Sequence, residues 1–177
     1  MEFIMEVARK TEYFQALSKE LEKYTADTLL SGDEESGQWL QRAVFATSAE
    51  LESFVMTEAT MFAAREDVDL LEIFVKLFPE ADCAAVDEVN NAFAELNYYS
   101  PVGSFGIHPV QGYGFLRECF VIDGAKELSA MIADAILNYE LVLETVVASY
   151  PGLSAIWSGE RTFDEVIEKG WIKKHSK

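Results

Sequence analysis

Basic residues are scarce in this chain: 14 lysines and arginines stand against 31 aspartates and glutamates, a net charge of −17. The imbalance is uneven. The last nine residues hold Lys169, Lys173, Lys174 and Lys177 and no acid, so the preceding 168 carry ten bases against 31 acids, a charge of −21. A body that acidic repels nucleic-acid phosphate and anionic lipid, which argues against direct binding to either. It fits a soluble protein, with a basic client protein or mimicry of nucleic acid as further readings.

Cysteine and histidine are nearly absent. Cys83 and Cys119 lie 36 residues apart in no CxxC context and read as reduced, partly buried thiols. His108 precedes Pro109, and His175 lies in the lysine tail. Neither has a Cys, His or carboxylate at metal-ligand spacing, so no metal site is expected. No G-x-S-x-G elbow supplies a nucleophile, and Gly112-Tyr113-Gly114 lacks the Lys-Ser/Thr of a phosphate loop. Glu66, Asp67 and Asp69 do not match a calcium loop. Among 31 carboxylates, spacing singles out no acid–base pair. The chain is therefore read as a non-enzyme without cofactor. No apolar run approaches the roughly 18 residues of a membrane span. Glu2 and Glu6 interrupt the apolar N-terminus, unlike a signal peptide. A cytoplasmic protein is expected.

What the chain does have is apolar content, 50 % of 177 residues, enough for a sizeable core. Phe3, Val7, Phe14, Leu17, Leu21 and Tyr24 repeat in steps of three and four, with Lys10 and Thr28 at off-type positions. This predicts a first helix over residues 2–30, ended by a solvated loop over 31–37. Strands are predicted over Trp39–Thr47, Ser53–Ala64 and Leu70–Phe78, with a charged turn at Arg65-Glu66-Asp67. Pro79 ends the third strand. Asp82 is the expected N-cap of a helix whose apolar spacing runs from Val86 to Asn97. Pro101 forbids its continuation, and Gly103 supplies a backbone angle that other residues resist.

A hairpin follows, Ser104–His108 and Phe115–Ile122, joined through Gln111-Gly112-Tyr113-Gly114. A long helix is predicted over Ala125–Tyr150, ended by Pro151-Gly152, with a short turn over Leu153–Trp157. Thr162-Phe163-Asp164-Glu165 has capping-box spacing and opens a last helix that Gly170 closes. The fold class is α+β, in the order α-β-β-β-α-β-β-α plus a helical extension. One domain covers residues 1–150, with 151–177 packed on it.

Two features point towards function. Strands three and five are apolar on both faces, so a protein-binding surface is expected from Leu70, Phe74, Phe78, Leu116, Phe120 and Ile122. Tyr98, Tyr99, Phe105, Tyr113 and Phe115 cluster around the corner and hairpin and read as sealing the sheet's end. The alternative is a small-ligand pocket or enzyme site built from Tyr99, Phe105, His108 and Tyr113.

With that order of elements, the chain resembles the YbjN-type family, whose fold is that of type III secretion chaperones. The resemblance rests on Leu70 to Phe78, Phe93-Ala94-Glu95-Leu96-Asn97, Val102-Gly103-Ser104-Phe105 and Phe115-Leu116-Arg117-Glu118, and covers about residues 1–150. It implies a five-stranded antiparallel sheet with the first and last helices on one face. It also implies protein binding without catalysis, through a sheet face or strand edge, commonly as a homodimer. It gives no catalytic residue to carry over.

Overall fold

The structure, a computed structural model, describes residues 5–48, 53–65, 68–78 and 85–174. Pro79, Asp82, Cys83, His175 and the turn residues Glu66 and Asp67 lie outside them. The described elements run α1 (Val7–Leu21), β1 (Asp27–Asp33), β2 (Gln38–Ser48), β3 (Ser53–Arg65), β4 (Val68–Lys76), α2 (Val86–Tyr99), β5 (Ser104–Ile107), β6 (Gly114–Ile122), α3 (Leu128–Trp157) and α4 (Phe163–Glu168). The strands form one six-stranded sheet in the order β1-β2-β3-β4-β6-β5. The fold is α+β, but with six strands where five were expected.

The extra strand is β1, whose residues fall in the span predicted for the end of the first helix and the start of the loop after it. That helix stops at Leu21, where its last turn is closed by Glu22 N–H donating to Ser18 O and Thr25 Oγ1 donating to Leu21 O. Thr25, Asp27 and Thr28 are poor helix formers. Residues 27–33 instead pair along β2, from Asp27 opposite Val44 to Asp33 opposite Gln38. In the tight turn that follows, the Asp33 carboxylate accepts from the Glu35 and Ser36 amides at 2.9 and 3.3 Å. Those amides, the Glu35 bond foremost, hold the Asp33 carboxyl below the usual carboxylate range.

The second correction concerns Pro151. It lies inside α3, which continues to Trp157 rather than ending at Tyr150. An interior proline costs a helix about 3 kcal/mol or more. The turns beyond it bury Leu153, Ile156 and Trp157. Burying each such side chain is worth about 1.5–3 kcal/mol, which outweighs the break.

The chain divides into two compact units. The first comprises Met1–Val75 with Glu118–Glu140, and the second Lys76–Arg117 with Leu141–Lys177. In the first, Tyr13, Phe14, Leu17 and Leu21 of α1 are buried, and Trp39 Nε1 donates to Thr11 Oγ1 at 3.2 Å. The first half of α3 reaches the same face of the sheet, where Tyr139 lies against Phe45 with centroids 5.9 Å apart. One charged pair crosses this core. Lys10 Nζ lies 2.8 Å from Asp69 Oδ1, and Asp69 Oδ2 accepts the Met5 amide at 2.6 Å.

In the second unit, Phe78 stacks on Trp157 at 4.8 Å and on Tyr150 at 5.4 Å. A Cβ at Gly114 would come within 3.0–3.1 Å of Phe78 and Trp157, so a side chain there would require those rings to give way by a few tenths of an ångström. Gly103 has φ of +76°, as its place after Pro101 predicts, and a Cβ there would meet Leu116 at 2.8 Å. Asn97 at the end of α2 clamps β5: its Nδ2 donates to Phe105 O at 3.0 Å and its Oδ1 accepts from Phe105 N at 2.7 Å. The extension packs here too. Val166 and Ile172 are buried, and the capping box of Thr162 with Glu165 is formed as its spacing predicts.

Candidate protein-binding site

Strand alternation divides the first unit's sheet into two faces. On β3, Val55, Thr57, Ala59 and Met61 are buried, and on β2 so are Gln41, Ala43 and Phe45. Their neighbours point the other way. The β2–β3 register places Leu40 opposite Thr60, Arg42 opposite Glu58, Val44 opposite Met56 and Ala46 opposite Phe54. Arg42 Nε and Glu58 Oε1 are 2.7 Å apart across the strands. The β1–β2 register adds Leu29 opposite Arg42 and Asp27 opposite Val44.

The register of β4 against β6 follows from two contacts. Leu77 N–H donates to Gly114 O, and Cys119 Sγ lies 3.7 Å from Glu72 Oε2. Moving five residues back along β4 moves five forward along β6, so the pair is antiparallel. Leu70 and Val121 then share a face with Glu72 and Cys119, because opposed residues project to the same side. On β4 the buried residues are Asp69, Leu71, Ile73 and Val75; Leu70, Glu72 and Phe74 are half-buried.

The result is an outer face carrying large apolar groups in water. Phe54 is 63 % exposed, Val121 65 %, Leu29 54 %, Met56 39 % and Phe62 37 %. Soluble chains seldom line one sheet face this way without a use for it. Charges of both signs project from it: Asp27, Glu58 and Glu72, and Arg42, which pairs with Glu58, with Lys76 and Arg117 in the same phase along β4 and β6.

Of the six residues expected to form the surface, Leu70 and Phe74 lie on this outer face. The other four do not. Phe78 lies beyond the end of β4, buried against Trp157 and Tyr150. Leu116 and Ile122 are buried, and Phe120, two residues from Ile122, shares their side of β6. β6 turns its opposite side outward through Val121 and Cys119. Leu29, Phe54, Met56, Phe62 and Val121 were not in the expected set. The signal for β3 was present, since Phe54, Met56 and Phe62 alternate with Val55, Thr57 and Met61. Leu29 falls within the predicted first helix, which hides its place on a strand.

The alternative site separates into two places within the second unit. Tyr99 and Phe105 line a cavity of about 390 Å³ between the end of α2, the second half of α3 and the segment Gly170–Lys173. His108 and Tyr113 do not line it. They stack on each other at 4.8 Å, with Lys76 Nζ 4.5 Å from the Tyr113 centroid. His108 Nδ1 accepts from the Val110 and Gln111 amides at 3.3 and 3.1 Å, so this nitrogen organises the hairpin turn. Among the described residues, no group of three metal-ligating side chains could hold an ion, and no helix is long and apolar enough to cross a membrane. The Cys119 thiol is half-buried, with Glu72 Oε2 as a hydrogen-bond partner at 3.7 Å.

No protein-family model matches the chain, and no curated protein matches it.

Proposed function

We propose that the chain is a non-enzymatic, cytoplasmic protein-binding module, chaperone-like or regulatory, whose outer sheet face holds an apolar segment of another protein. The observation that carries this reading is the row of exposed Leu29, Phe54, Met56, Phe62 and Val121 on one side of the sheet. The resemblance to YbjN-type proteins points the same way. The segment's chemistry follows from charge. The chain's net charge of −17 favours a partner with lysine or arginine between its apolar residues. Two copies of a chain at −17 repel each other, which disfavours a homodimer over a basic partner.

Selection of peptides from a random library against the protein tests the proposal. Enriched sequences combine apolar residues with lysine or arginine and lose binding to the Phe54→Glu and Val121→Glu variants. Binders indifferent to both substitutions refute the assignment to this face. Binders without basic residues refute the electrostatic part of it. Loss of a dimer on substitution at Phe54 replaces the partner with a second copy.

A further inference from the structure

The cavity at the α2 corner is a second, independent candidate, and its polar lining specifies a ligand. Its volume of about 390 Å³ falls within the roughly 300–1,000 Å³ of small-molecule sites. Leu96, Phe105 and Ile172 give it apolar walls, and Tyr99 and Trp171 add aromatic ones. Phe105 is held in place by the two Asn97 bonds to its backbone.

Four hydroxyls belong to the lining, and each makes its bond to a backbone carbonyl. Tyr99 Oη bonds Lys174 O at 3.1 Å, Ser100 Oγ bonds Val102 O, Thr145 Oγ1 bonds Leu141 O at 2.8 Å, and Ser149 Oγ bonds Thr145 O and Val146 O at 2.8 and 3.1 Å. A carbonyl oxygen can only accept, so each hydroxyl is the donor. A hydroxyl has one proton, and what remains to face the cavity is lone pairs. The fifth oxygen group is the Glu144 carboxylate, another acceptor, which forms no ion pair with any described residue. Apart from the Lys173 ammonium and the Trp171 indole N–H, the side-chain polar groups of the lining offer acceptors to the cavity.

Acceptors beside aromatic rings suit a protonated amine. Its N–H groups satisfy the oxygens, its charge is countered by Glu144, and aromatic faces attract cations. Trp171 already shows that attraction: Lys169 Nζ lies 4.7 Å from its ring centroid. We infer that this cavity binds a small organic ammonium with an apolar or aromatic body. The inference does not rest on the outer sheet face, which lies in the other unit.

Three probes with a common phenylethyl body test it: 2-phenylethylamine, 3-phenylpropionate and 2-phenylethanol, titrated into the full chain and followed through the Trp171 indole resonance. The amine is expected to shift that resonance and to bind about tenfold or more tightly than either other probe. Glu144 is exposed, so Glu144→Gln keeps the fold, as an unchanged amide spectrum shows, and weakens the amine about tenfold. A carboxylate bound as tightly as the amine, with binding lost in Lys173→Gln, overturns the inference. So does an indole resonance that none of the three probes moves at millimolar concentration.

Discussion

Replacing Lys10 with methionine removes one charge from the core of the first unit and leaves the other stranded. The Asp69 side chain has no exposed surface, and that of Lys10 is 14 % exposed. At their 2.8 Å separation the Coulomb attraction is about 6 kcal/mol at an effective dielectric constant of about 20. Releasing the lysine from its own desolvation offsets part of that. Breaking such a pair by removing one partner costs about 3–5 kcal/mol, because the remaining charge is uncompensated. The Met5 amide, at 2.6 Å from Oδ2, is a single donor and does not replace an ammonium. For a chain of this size, about 2–4 °C per kcal/mol converts the loss into a drop in Tm of roughly 6–20 °C. Amide hydrogen exchange at Leu71–Val75 reads the cost within the first unit, whether or not the second unfolds with it. The double variant Lys10→Met/Asp69→Asn keeps an acceptor for Met5 and leaves no buried charge, so it recovers most of the loss. A cost below about 1 kcal/mol for Lys10→Met, the range of exposed pairs, refutes the account of this site as a buried ion pair.

Three further outcomes follow from the same reasoning. Burial raises the pKa of Tyr13, with the neighbouring Tyr139 and Asp134 adding to it, and burial raises that of Tyr139. Their folded-state values lie above the unfolded one, so the stability they contribute is whole below about pH 10. It falls by about 1.4 kcal/mol per pH unit per tyrosine as pH climbs towards the folded values. Ultraviolet titration near 295 nm should show two tyrosines that ionise only as the chain unfolds; full ionisation of all seven while it stays folded contradicts this. Gly103→Ala forces a side chain into positive φ and against Leu116, and should cost about 1–3 kcal/mol in urea denaturation. Thr162→Ala removes the hydroxyl that accepts from the Glu165 amide and should cost about 1 kcal/mol, with faster amide exchange across Asp164–Val166.

The legible elements were those whose local chemistry agrees with their packing. β4 alternates cleanly, α2 has a proline after it, Gly103 needs its angle, and Thr162 to Glu165 spells a cap. No glycine or proline separates β1 from α1, so a three-four spacing can be drawn through Tyr24 to Thr28 and hides the strand. The weak helix formers at Thr25, Asp27 and Thr28 were the only notice of the change. Pro151 misled in the opposite direction: local chemistry stops a helix there, and burial of Leu153, Ile156 and Trp157 carries it through. Lys10 looked like a defect in the apolar stripe of α1, and Asp69 sits in phase with Leu71 and Ile73. Each is anomalous alone, and the fold resolves both by pairing them. The outer face was legible as a property of β4, where both sides are apolar, but not as a set of residues. Which side of β6 joins it depends on strand register, and register is fixed by contacts distant in sequence.

Site-specific photocrosslinking inside living cells bears most directly on the outer face. A crosslinking side chain placed at Phe54 should trap a discrete adduct with another protein carrying a basic, apolar segment. The same group at Glu160 of the second unit should not trap it. If both positions give the same background, or Phe54 yields only unmodified chain, the sheet face is not a protein-binding surface.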